Sequence, residues 1–145
     1  MTAKLSITLL IMVISFQSSR AQSLKHTVNK FTQVMAKTQT TSSAFIKKLK
    51  PLLDPDSNVD SLSIDYYQHW KNNAENNSYP ISTKIEKLEK SSTTTANIII
   101  SNVWHLPSGE YYYYQSLTTW IRKNNKWYRS GKPAIIIERK KLDSE

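Results

Sequence analysis

Asp65 and His69 stand four residues apart, so on a helix they share one face, and a carboxylate beside an imidazole can move a proton. That spacing fits a general-base dyad. The plainer reading of the same spacing is an i to i+4 pair on a solvated surface. His105 directly precedes the turn-like "LPSG" and reads as a surface histidine at a strand end rather than a catalyst. The chain has three histidines in all, with no companion cluster of carboxylates, which argues against a metal site. It has no cysteine, which excludes thiolate-held zinc or iron–sulfur and leaves the fold to stand on packing alone. No cofactor is implied.

The stretch "TTWIRKNNKWYRS", Thr118 to Ser130, sets two indoles among basic residues and poses a second kind of chemistry, stacking on nucleic-acid bases. Asn124 and Asn125 can adopt the positive φ of a two-residue hairpin turn. With that turn, Lys123 faces Lys126, Arg122 faces Trp127, Ile121 faces Tyr128 and Trp120 faces Arg129. Trp120 and Trp127 then share one face as diagonal neighbours. Arg122 and Arg129 lie on that face too, their stems flanking the indoles and their charged heads reaching outward. Stacking on a base is worth ~1–3 kcal/mol per aromatic, whereas burying an indole is worth a gross ~4–6 kcal/mol. In a chain with so few phenylalanines the indoles are needed as core, so nucleic acid is not the expected partner. Lys123 and Lys126 read as a solvated hairpin tip.

The elements that would position these groups can be read from periodicity. Leu24, Val28, Phe31 and Met35 line one face of a first helix running to Lys37. After the cap-rich "TQTTSS", Phe45, Ile46, Leu49, Leu52 and Leu53 form a second stripe, which Pro51 should kink or end. A third helix is expected from about Leu62 to Asn72, with Leu62, Tyr66 and Trp70 recurring every four residues behind Asp60 or Ser61 as cap. "NNAENNSYP", Asn72 to Pro80, is a loop by composition. Strands follow over Lys84 to Lys90, Thr93 to His105, Glu110 to Lys123, Trp127 to Ser130 and Ala134 to Arg139. Tyr112 and Tyr114 share a face with Trp120 if the third of these is regular. Helices first and adjacent strands afterwards mean α+β, an antiparallel sheet covered on one face by helices.

The chain's start carries an address. Lys4 precedes the apolar run "LSITLLIMVISF", Leu5 to Phe16, and Ser19-Arg20-Ala21 offers small residues for a signal peptidase. Twelve residues fall short of the ~20 a membrane span needs. The expectation is a signal peptide over residues 1–21, cleaved after Ala21, and a secreted or periplasmic domain over 22–145 with no membrane span. The net charge of +9 becomes +7 when Lys4 and Arg20 leave, since all eleven acids lie beyond them. Such an excess is an ordinary solvated surface. Asn76-Asn77-Ser78 also matches an N-glycosylation acceptor.

Three leading helices, a polar loop and strands ending in "WHLPSGEYYYYQSLTTWIRKNNKWYRS", from Trp104 onward, resemble the nuclear-transport-factor-2-like superfamily, with its SnoaL-like and ketosteroid-isomerase-like domains. The residues that carry the likeness are Trp127 after the hairpin turn and Trp120 before it, and it extends from about Leu24 to Arg139. The resemblance implies a cystatin-like, cone-shaped α+β roll, with the helices packed in the concave face of a curved sheet and a pocket between the two. It implies that Asp65 and His69 are the catalytic candidates if the domain is an isomerase, cyclase or dehydratase. It implies Tyr66, Trp70, Trp104, Tyr112, Tyr114, Trp120 and Trp127 as pocket candidates, although a filled core would account for the same residues. The expected function is non-catalytic binding of a small apolar ligand or a protein partner, with a homodimer through the sheet as one assembly the family uses.

Overall fold

The computed structural model describes residues 24–37 and 39–143, with nothing to be said of the Lys90 side chain. The segment expected to be a signal peptide lies outside the described residues. The fold is α+β: three helices precede a five-stranded antiparallel sheet.

The first helix, α1, is described over residues 24–35 and buries Leu24, Val28, Phe31 and Val34. Helix α2, Ser42–Leu49, starts where Thr41 Oγ1 accepts from the Ala44 backbone N–H at 3.2 Å, and it buries Phe45 and Leu49. Pro51 cannot donate to an α-helical ladder, and a three-residue 3₁₀ turn, Lys50–Leu52, takes over where α2 stops. The chain then passes through buried Leu53, which forms an isolated parallel bridge with Arg129.

Helix α3 spans Val59–Glu75, about three residues longer at each end than the sequence suggests, so its last turn takes up the start of the stretch expected to be a loop. Asn58, rather than Asp60 or Ser61, is the cap, accepting from the Ser61 N–H at 3.2 Å. Asp60 falls inside the first turn, where a carboxylate favours the positive end of the helix dipole.

The strands are β1 Tyr79–Lys90, β2 Thr95–His105, β3 Tyr111–Lys123, β4 Lys126–Arg129 and β5 Ile135–Leu142. The order is β1-β2-β3, with β4 and β5 both paired to the far edge of β3. β4 takes the Trp120–Lys123 end and β5 the Tyr111–Leu117 end, because Ser130 to Pro133 interrupts what would be one strand. The strand boundaries shift from expectation by one or two residues at most ends and by more at two of them. β1 begins at Tyr79 and includes Pro80, which an edge strand tolerates since its missing N–H costs no ladder bond. β5 runs on through Lys140, Lys141 and Leu142.

Asn124 and Asn125 take φ of 48° and 63°, and the hairpin register is the one read from the sequence, with Trp120 opposite Arg129 and Arg122 opposite Trp127. The face carrying these indoles is the helix side. Ala96, Ile98 and Ile100 of β2 point there and pair with Trp120, Thr118 and Ser116 of β3. Trp120 is fully buried and meets Phe31 edge to face, centroids 5.6 Å apart at 89°. Trp127 is buried as well.

Two expectations about this hairpin are corrected. Arg129 does not send its guanidinium outward: it is 2% exposed and donates from Nη1 to the carbonyls of Thr119 (3.0 Å) and Ser130 (2.8 Å). The same face that buries Trp120 buries its cross-strand partner. Nor is Lys123 a free tip. It reaches Asp54 Oδ1 at 2.7 Å and also Asp56, joining the hairpin to the turn after the 3₁₀ segment, and the Asp54 bond, then that of Asp56, raises its pKa.

On the opposite face of the sheet, buried Ser101 donates to Glu86 Oε1 at 2.6 Å. That bond, ahead of Lys84, holds the Glu86 carboxyl below its ordinary 4.5. A carboxyl depressed in the fold stabilises it above the unfolded pKa and loses that contribution as pH falls through the folded value. Ser101→Ala is therefore expected to narrow the stability difference between pH 7 and about pH 3, seen as convergent urea midpoints.

Candidate functional site

A cavity of about 380 Å³ lies between the helices and the sheet, within the range of small-molecule sites. Its origin is a change of side-chain size along the inward face. Where β2 presents Ala96 and Ile98, Trp120 and the helices fill the space. Further along, Ile100, Asn102 and Trp104 of β2 reach the lining, and β3 adds Ser116 and Thr118, the partners of Ile100 and Ile98; the short side chains of these two β3 residues leave a hollow under α1 and α3. Phe31 and Met35 from α1 and Trp70 from α3 roof it.

Each wall is fixed by its own contacts. The Trp70 Nε1–H donates to the Lys37 carbonyl at 2.6 Å, which ties α3 to the end of α1. Trp70 also packs on Phe45 and Tyr67, with centroid separations of 5.6 and 5.9 Å. Thr83 Oγ1 donates to Asn102 Oδ1 at 2.8 Å, leaving the Asn102 amide nitrogen available as a donor. The turn from α3 into β1 closes one end. Asn77 adopts φ of 54° there, and its carbonyl lies 3.0 Å from His105 Nδ1, so that nitrogen carries the proton. The His105 ring stacks on Tyr79 at 4.8 Å and meets Tyr111 edge-on at 5.4 Å. His105 thus acts as a pin for the wall formed by Asn77, Ser78 and Tyr79.

Of the residues singled out from the sequence, Trp70, Trp104 and His69 border the cavity. Asp65 does not. It is exposed on α3, and among the described residues no hydrogen bond or ion pair joins it to His69, which is exposed too. Tyr66 lies outside the lining and packs edge-on against Phe31 at 5.6 Å. Trp120 and Trp127 belong to the core. Tyr112 and Tyr114 of β3 lie across from Trp104 and Asn102, beneath the Arg139 guanidinium, which stands 4.7 Å and 5.7 Å from their ring centroids. Among the described residues no three His, Asp or Glu side chains come together as metal ligands.

Sequence reasoning passed over Phe31, Met35, Lys37 and Asn102 as site residues. The first two carried a signal, the α1 stripe, but one that reads as core. Lys37 and Asn102 carried none. Comparison with protein-family models and with curated proteins finds no match.

Proposed function

We propose that this chain is an exported, non-catalytic domain of the nuclear-transport-factor-2-like kind that binds a small apolar ligand in the cavity between helices and sheet. The observation that carries this reading is the cavity itself, roofed by Phe31, Met35 and Trp70, walled by Trp104, and supplied with Asn73, Thr83 and Asn102 as polar handles. A concave, mostly apolar site of that kind favours a small molecule over a protein partner. Nucleic-acid stacking is disfavoured because Trp120 and Trp127, 0% and 4% exposed, offer no face to a base. The dyad needed by the isomerase, cyclase or dehydratase alternative is not assembled, since Asp65 is outside the cavity and His69 meets it without a carboxylate.

Titration with the neutral fluorogenic probe N-phenylnaphthylamine tests the proposal. Saturable binding is expected, and Ser116→Leu, which fills the hollow from β3, is expected to weaken it about tenfold while the protein stays folded. Equal binding by wild type and Ser116→Leu would remove the cavity from consideration.

A further inference from the structure

Three strands set polar side chains side by side on the floor of this cavity. Thr83 of β1 stands opposite Asn102 of β2, and Ser116 of β3, the partner of Ile100, is the diagonal neighbour of Asn102 on the same face. All three line the hollow. The Thr83 Oγ1–H donates to Asn102 Oδ1 at 2.8 Å, so the amide oxygen is engaged and its two N–H donors are left over. Among the described residues nothing accepts from Asn102 Nδ2 and nothing bonds to Ser116 Oγ. Neither atom is sealed in, because the buried side-chain polar atom without a partner among the described residues is Trp127 Nε1. The roof cannot satisfy them either: Phe31 and Met35 carry no side-chain oxygen, and the Trp70 Nε1–H is itself a donor, engaged by the Lys37 carbonyl. The floor of a mostly apolar hollow therefore presents donors that lack an acceptor.

We infer that the ligand is an uncharged molecule whose apolar body lies under Phe31, Met35 and Trp70 and whose carbonyl-type oxygen, that of a ketone, ester or amide, accepts from Asn102 Nδ2, with the Ser116 Oγ–H as second donor. The inference rests on the cavity being a ligand site, as proposed above, and adds to it the kind of head and the residue that selects it. The apolar walls supply affinity in proportion to the area they cover. No aspartate or glutamate is among the lining residues, so an ammonium head would find no anion. A carboxylate head on the floor would meet only uncharged donors, and Lys37, which borders the hollow, is exposed, where an ion pair is worth little. An oxygen that only accepts is the match for an amide whose own oxygen is already engaged. Thr83 is a positioning residue in this arrangement, since without its hydroxyl the amide is free to turn and present oxygen in place of nitrogen.

Displacement of N-phenylnaphthylamine by butylbenzene, butyrophenone, 4-phenylbutyrate and 4-phenylbutylammonium compares closely similar skeletons bearing no head, a carbonyl, an anion and a cation. In the wild type butyrophenone is expected to displace the probe at about the same concentration as butylbenzene, although water solvates its carbonyl better, and the two charged compounds are expected to require about ten times more. Asn102→Leu and the smaller Asn102→Ala are each expected to raise the butyrophenone concentration about tenfold relative to butylbenzene, the loss of one hydrogen bond to a buried oxygen. Thr83→Val is expected to raise the same ratio roughly threefold with Asn102 itself unaltered. A ratio of butyrophenone to butylbenzene that neither Asn102 variant moves overturns the role of Asn102 and leaves the apolar site standing. Displacement by 4-phenylbutyrate at lower concentration than butyrophenone overturns the uncharged head. Failure of butylbenzene and butyrophenone alike withdraws the ligand-site reading along with it.

Discussion

Trp120→Ala is expected to lower the unfolding free energy by about 3–5 kcal/mol, read as a fall in the urea midpoint at unchanged slope. The indole is fully buried against Phe31, and both α1 and the β3–β4 hairpin meet at it. It also belongs to a short hydrogen-bonded chain: Nε1–H donates to Thr118 Oγ1 at 2.9 Å, and Thr118 Oγ1 donates to the Ile98 carbonyl at 3.1 Å. Alanine therefore leaves a void and also removes one link of that chain. Trp127 gives the internal comparison. It is nearly as buried, but its Nε1 has no hydrogen-bond partner among the described residues. Trp127→Phe consequently loses no bond and relieves an unsatisfied donor, so its cost should be smaller than that of Trp120→Phe, which strands Thr118 Oγ1 without its donor. With a typical domain stable by about 5–15 kcal/mol, Trp120→Ala leaves the fold close to its limit.

Arg129→Ala is expected to cost about 3 kcal/mol or more, and Arg129→Met less than half of that, in paired denaturant titrations. The guanidinium is buried with no ion pair to a carboxylate among the described residues, and desolvation lowers its pKa while Tyr66 acts in the opposite direction. Its bonds go to two backbone carbonyls beside the end of β4. Alanine forfeits those bonds and opens a cavity at the point where Asp54 N–H donates to the Arg129 carbonyl. Methionine forfeits the bonds too, but it refills the volume and removes a charge that was expensive to bury. Should the methionine variant prove as unstable as the alanine one, the hydrogen bonds outweigh both packing and desolvation.

Much of the architecture could be read from residue types because it depends on local chemistry. Two asparagines that accept positive φ fix the hairpin turn, and its register follows from strand geometry with no further information. Pro51 ends α2 for reasons internal to a single residue. The start of α3 was harder because Asn58, Asp60 and Ser61 are all competent caps within four positions, and tertiary packing chooses among them. The fate of Arg129 was hidden for a related reason. An amphipathic side chain on a strand can snorkel or be swallowed, and only the helices above it decide.

The cavity was the least legible feature. It is defined by what is missing, namely bulk at Ser116, Thr118 and Asn102 opposite α1 and α3. A serine or threonine in a strand ordinarily signals β-propensity or a solvated face, so nothing local marks it as the floor of a hollow. The aromatic residues were the more conspicuous signal, but most of them are structural. Of the seven aromatic pocket candidates, the structure brings Trp70 and Trp104 to the lining, whereas Trp120 and Trp127 sit where packing is densest.

The split of the last strand pair divides the end of the sheet into parts of unequal importance. β4 carries Trp127 and Arg129 into the interior, while β5 hangs on β3 by its backbone ladder with Ile135, Ile136 and Ile137 facing water at 60%, 62% and 48% exposure. A ribbon that gives so little oil to the centre can peel away while the remainder holds, so breathing motions should start at this border and stop at Ser130, whose N–H is still fastened to the Thr119 carbonyl at 3.0 Å.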